Sequence, residues 1–240
     1  MDGPLVLKFG GSLLRGDEDL ERVGAWVAAE EARSPGRGAT VVVVSAFGTT
    51  TDRLLARAAE LHPDQEDRVA ALAATGEEGA AAMVDVALVA AGRVPALLGP
   101  ADLGLVTEGP LLDADPVELE RDALACAMAR TGLVVVPGFV GRHRDGTPSL
   151  LGRGGSDLTA LFLAHRLGAR ACVLLKDVAG IHDGDPKAGA AELLAEVPLG
   201  DLARHAGQVL QPKAAAYAAA VGRAFTLGRP DEPDRRTRVG

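Results

Sequence analysis

The sequence has 240 residues, 48% of them hydrophobic and 24% charged, which suffices for one large α/β domain or two small ones around a sizeable core. A net charge of −8 and an aromatic content of 3% exclude a surface built to track a nucleic-acid backbone and stack on its bases. Apolar runs such as Leu133 to Pro137 are too short to span a bilayer, and no targeting pattern opens the chain.

In chain order, the first element is a buried strand at Leu5 to Phe9, followed by the loop Gly10-Gly11-Ser12. Apolar residues Leu20, Val23, Trp26 and Val27 have helical spacing and predict a helix over 20–32. After a loop at 33–38, a Val-rich strand runs over 40–45, a hydroxyl-rich loop over 46–50 and a helix over 51–61. Gly76-Glu77 reads as a helix opening, where the dipole favours a carboxylate. Further strands are expected at Leu133 to Pro137 and Ala171 to Leu175, with a hairpin tip at 142–147 and a helix over 158–167 between them. The basic run Arg235, Arg236 and Arg238 reads as a solvated tail.

Strands alternating with helices predict an α/β fold whose mostly parallel sheet is covered on both faces. In such sheets ligands collect at the carboxyl ends of the strands. Cys126 and Cys172 lie far apart in apolar segments, which suits reduced core thiols in a cytoplasmic protein. The five histidines lack metal-ligand spacing, so no protein metal ligands are assigned.

Three loops carry the chemistry. Lys8 sits at the mouth of the first strand, and Gly10, Gly11 and Ser12 let backbone approach an anion without a clashing Cβ. Standing alone, these residues also suit a plain strand–loop turn. Gly152-Arg153-Gly154-Gly155-Ser156-Asp157 precedes a helix; Arg153 offers a fork for a carboxylate, and Ser156 or Asp157 can cap the helix. It is neither a Walker loop nor a dinucleotide fingerprint. The loop from Lys176 and Asp177 through His182, Gly184 and Asp185 to Lys187 places two lysines and three carboxylates after a buried strand, although Asp-Pro alone is a common turn starter.

Together these residues resemble the amino-acid kinase superfamily and, within it, the aspartokinases. Residues 8–12 are similar to the opening K-F/Y-G-G-S/T of that family, and 45–55 (SAFGTTTDRLL) to its S-A-M-x-x-x-T-D-x-L stretch. Gly76-Glu77 resembles its G-E motif, 138–141 its G-F-x-G, and 151–160 (LGRGGSDLTA) its L-G-R-G-G-S-D-T-T-A signature. Residues 176–187 resemble its nucleotide loop and 209–217 (VLQPKAAAY) its V-L-x-P-R/K-x-x-x-Y element.

The resemblance implies a three-layer α/β/α sandwich and one kinase domain over 1–240, with an amino-acid lobe over about 1–150 and a nucleotide lobe over about 151–240. It implies ATP and Mg²⁺ as cofactors, L-aspartate as acceptor and 4-phospho-L-aspartate as product. Glutamate, acetylglutamate or a specialised acid is the alternative acceptor, and a non-catalytic nucleotide-binding subunit a further one. Lys8 would bridge the transferring phosphate oxygens, and Asp157 would orient the lysines. Ser45, Thr51 and Ser156 would lie near the reacting carboxylate, Glu77 at the substrate amine, and Arg153, with Gly154 and Gly155, at the α-carboxylate. Gly10, Gly11, Ser12, Lys176, Asp177, His182, Gly184, Asp185, Lys187 and Lys213 would serve the nucleotide.

Several residues depart from the aspartokinase pattern: Lys176 stands for Thr, His182 for Tyr and Lys187 for Arg, and Gln211 where His is common. The stretch Thr107-Glu108-Gly109-Pro110 is shorter than the H-G-x-A-like element found there. The sequence ends at Gly240, about where regulatory domains begin in that family, so no feedback control by that route is expected. A homodimer is the expected assembly.

Overall fold

The computed structural model describes residues 2–61, 64–184, 191–205, 207 and 209–240. The chain opens with β1 (Leu5–Phe9), whose five residues are all buried, then α1 (Asp17–Arg33), β2 (Thr40–Val44) and α2 (Thr50–Leu61). Acids Asp17, Glu18 and Asp19 in the first turn of α1 and Arg33 in its last turn complement the helix dipole. Next come α3 (Glu66–Ala90), β3 (Ala96–Leu97), α4 (Pro100–Leu103), β4 (Leu105–Glu108) and β5 (Asp115–Leu119). They lead to α5 (Asp122–Thr131), β6 (Leu133–Pro137), β7 (Val140–Arg142) and β8 (Pro148–Leu150). The last part holds α6 (Gly155–Arg166), β9 (Ala171–Leu175), β10 (Glu196–Val197), α7 (Leu202–His205), α8 (Pro212–Val221), β11 (Phe225–Gly228) and β12 (Thr237–Val239).

An eight-stranded sheet has the order β10-β12-β11-β9-β1-β2-β6-β3, and every pairing in it is parallel except β11 with β12. The four strands expected from the sequence form its centre. Their side chains alternate between two cores. Val6, Val41, Val43, Val134 and Leu174 pack with Leu161 and Phe162 of α6, Leu124 of α5 and Ala218 of α8. Leu5, Leu7, Phe9, Val42 and Val135 pack with Val23, Trp26 and Val27 of α1 and Val84 and Leu88 of α3. Burying each Leu, Val or Phe contributes about 1.5–3 kcal/mol. The result is the expected three-layer α/β/α sandwich, and the Val-rich strands follow from burial on both faces.

A second sheet, β5-β4-β7-β8, stands beside it and packs on α3 through β8. Its β7–β8 hairpin contains the tip expected at 142–147. Among the described residues no helix is long and apolar enough to cross a membrane.

Four local expectations are corrected, the first being Cys126, which is exposed on α5 rather than a core thiol. Gly76-Glu77 does not open a helix but lies midway along the 25-residue α3, because Ala-rich sequence on either side carries the helix through two glycines. Neither Ser156 nor Asp157 caps α6: the cap is Gly154 in a left-handed conformation, without a side-chain bond, and both residues fall inside the first turn. Arg236 is not a solvated tail. It is 7% exposed and pairs with buried Glu30 of α1 at 2.7 Å, and β12 continues from it into the main sheet.

Candidate active site

The chain leaves β1 toward β2 on one side and later returns to β9 on the other. That reversal makes the carboxyl ends of β1, β2 and β9 a topological switch point, where a crevice opens. Lys8 is one residue from the end of β1, in register with Val43 of β2 and Leu174 of β9. It shares the β1 face of Val6 and so points toward α6.

Asp157, in the first turn of α6, receives two lysines. Lys8 Nζ lies 2.7 Å from Asp157 Oδ1, an ion pair without hydrogen-bond alignment. Lys176, the residue after β9, donates from Nζ to Asp157 Oδ2 at 2.6 Å. Burial draws the Lys8 ammonium below the usual lysine range against the pull of Asp157, and the charge of Lys176 lowers it further. Burial also opposes ionisation of Asp157, yet the attraction of Lys8 and Lys176 outweighs it and holds the carboxyl below the usual range. Two cations on one anion leave a net positive centre at the floor of the crevice.

The loops around this centre are locked together. Gly11 crosses the loop after β2 so closely that a Cβ would fall 2.1 Å from the Ala46 carbonyl oxygen. Gly154 has φ +77°, which L side chains rarely adopt, and a Cβ there would meet Gln211 at 2.5 Å. Ser12 Oγ donates to Asp177 Oδ1 at 2.8 Å, tying the loop after β1 to the loop after β9.

Glu77 faces the same crevice from α3 and is 3% exposed. Its Oε2 accepts the Ala46 N–H at 2.8 Å and its Oε1 the Thr51 hydroxyl at 3.0 Å. Burial pushes its carboxyl up to about 7, against the opposing effect of these donors and of Lys8.

These groups line a cleft of about 770 Å³. It brings together Lys8, Gly10, Gly11, Ser12, Ser45, Thr51, Glu77, Arg153, Gly154, Gly155, Ser156, Asp157, Lys176 and Asp177 from the sequence-derived set. His182 stands apart in a bridge with Leu193, and Gly184 follows it on the same loop. Lys213 is also apart from the lining; its ammonium binds Asp113 Oδ1 at 2.8 Å and Asp115 Oδ1 at 3.1 Å, pinning α8 to the start of β5 and the residues before it. Asp185 and Lys187 lie outside the described residues.

Sequence reasoning missed the apolar lining: Leu55, Ala59, Val69, Leu112, Phe139 and Leu150. Among the described residues Phe139 is the one non-glycine with positive φ, at 69°, a strain that marks a constrained site. Its backbone N–H donates to Thr159 Oγ1 at 3.0 Å.

Among the described residues no group of three or more His, Cys, Asp or Glu is arranged to hold a metal ion. Mg²⁺ beside phosphates takes most ligands from phosphate oxygens and water, with one or two carboxylates. The exposed Asp177 at the rim, next to Ser12, fits that donor type. The two lysines on Asp157 equip the site to draw an anion by positive charge.

The family model described as the amino acid kinase family matches residues 3–223. An aspartokinase of Thermus thermophilus is 33% identical over 224 residues, covering 91% of this chain and 54% of its own. The chain thus spans about half the length of the curated relatives it matches. The crystal structure of aspartate kinase from Synechocystis is similar with a TM-score of 0.83 and 29% identity, over 98% of this chain and 39% of that one. E. coli aspartokinase III, solved in complex with aspartate and ADP, shares the fold at a TM-score of 0.79 and 22% identity, over 98% of this chain and 64% of its own. With its central parallel sheet and paired lysines at the switch point, the chain belongs to the amino acid kinase family.

Proposed function

We propose that the chain transfers the γ-phosphoryl group of ATP to the side-chain carboxylate of L-aspartate, giving 4-phospho-L-aspartate. The carrying observation is the Lys8–Asp157–Lys176 cluster opposite Glu77 in one cleft. The first 150 residues or so supply the amino-acid side and the remainder the nucleotide side, and the protein works as a cytoplasmic homodimer.

The reaction asks two anions to meet. A substrate carboxylate is already a nucleophile, so no base is required. Its oxygen attacks the γ-phosphorus in line, and the bond to the leaving ADP oxygen breaks. Lys8 stabilises charge on the transferring oxygens, and Lys176 that on the nucleotide side. Asp157 orients both ammonium groups. Glu77 takes the substrate ammonium, Arg153 its α-carboxylate, and Ser45 and Ser156 position the acceptor oxygen. Bound Mg²⁺ supplies further charge neutralisation at the phosphates.

Incubation with ATP, L-aspartate and hydroxylamine tests the reading. An ATP-dependent hydroxamate is expected. ATP consumption with other acids and none with aspartate would keep the reaction class and replace the substrate.

A further inference from the structure

The cleft does not end at the groups that the proposed reaction uses. Thr51, Leu55 and Ala59 are spaced i, i+4, i+8 on α2 and line it along one stripe. Glu77 and Val69 stand eight residues apart on the neighbouring α3 and line it along another. The Thr51–Glu77 hydrogen bond, 3.0 Å, joins the two stripes at their polar end. From there the helices run side by side for two turns, about 12 Å, and the lining becomes apolar. Leu112, Phe139 and Leu150 line it as well, packed with Leu55 and with Ala70, Ala73 and Ala74 of α3.

Glu77 is the natural seat of an ammonium group, so this apolar trough begins where the substrate amine would sit. L-aspartate has one methylene between its charged ends and nothing to place there. Leu55, Ala59 and Leu112, the part of this lining that still meets solvent, would gain from being covered by an apolar ligand group.

We infer that the preferred acceptor is an amino acid carrying an apolar substituent of several carbons near its ammonium group, held in the trough between α2 and α3. This deepens the proposed function and rests on it: the reacting carboxylate and the ammonium partner are unchanged, and the specificity-determining residues are Leu55, Ala59, Val69 and Leu112.

The experiment compares L-aspartate with L-aspartates bearing methyl, propyl or benzyl groups on carbon 3 or on the amine nitrogen. The readouts are hydroxamate formation and thermal stabilisation in the presence of ADP. The kcat/KM is expected to rise about tenfold or more from the unsubstituted to the best substituted acid, since one methylene in an apolar pocket is worth roughly that factor. Ala59→Phe, which fills the far end from an exposed position, should erase most of that preference and change aspartate turnover less. If aspartate is turned over at least as well as every substituted acid, and Ala59→Phe alters no ratio, the trough is packing between helices and the inference fails while the kinase reading stands. If no acid gives hydroxamate but the substituted acids stabilise the protein more than aspartate does, the trough stands and the reaction fails. If neither occurs, both fail.

Discussion

Lys8 and Asp157 meet as a buried ion pair at 2.7 Å, with side chains 6% and 4% exposed. Because Lys176 takes the other oxygen of the same carboxylate, one anion compensates two cations. Removing that anion leaves both lysines uncompensated, and breaking a buried pair typically costs about 3–5 kcal/mol. Asp157→Asn should lose that much unfolding free energy in denaturant melts. ADP should then raise its melting temperature more than that of the unaltered protein, because the nucleotide restores the missing negative charge. Equal ADP shifts in both proteins would contradict the charge balance described here.

Lys8→Met leaves Asp157 paired with Lys176, so the fold should persist by circular dichroism. Turnover should nevertheless fall about 10²–10³-fold, the usual loss when one stabiliser of developing charge is removed. A kcat within a few-fold of the unaltered enzyme would remove Lys8 from the reaction centre.

Glu77 makes a prediction with a sign. Its carboxyl is raised from 4.5 to about 7 by burial, so between these values the folded protein keeps a proton that the unfolded chain has released. Stability from this group is complete below 4.5 and is lost as pH rises toward about 7, a change of roughly 3 kcal/mol. Melts across this range should show that slope, and Glu77→Gln should flatten it. Substrate binding runs the other way. An ammonium needs the ionised carboxylate, so the KM for the amino acid should fall as pH rises through about 7. A KM independent of pH in the parent enzyme would place the ammonium elsewhere.

Buried Glu30 and Arg236 link α1 to the strap before β12 at 2.7 Å, and neither lines the cleft. Glu30→Ala should destabilise the protein by about 3–5 kcal/mol and leave kcat unchanged at temperatures where the variant is folded. A stability change below 1 kcal/mol would return Arg236 to the solvated tail that its sequence context suggests.

The pair also shows what could be read from sequence and what could not. Strands such as Leu5–Phe9 and Thr40–Val44 were legible because burial on both faces makes them continuously apolar. Lys8 and the glycine loops stand out through their resemblance to family motifs, since each alone also suits a plain turn. Helix α3 was not, because an Ala-rich helix interrupted by Gly76 and Gly79 has no sharp apolar stripe, and Glu77 was consequently placed at a helix start. Arg236 looked like a tail residue because its partner lies about two hundred positions away. The apolar trough was invisible for the same reason: Leu55 and Val69 are ordinary helix residues until α2 folds back along α3.

In the proposed reaction a substrate carboxylate oxygen attacks phosphorus. Oxygen-18 in the side-chain carboxylate of L-aspartate, or of the substituted acid that is turned over best, tests it directly. With ATP and hydroxylamine, the acyl phosphate breaks at its carbonyl carbon and the bridging oxygen leaves with phosphate. Inorganic phosphate should then carry one oxygen-18 atom for each hydroxamate formed. Phosphate without label, released at the same rate, would contradict it.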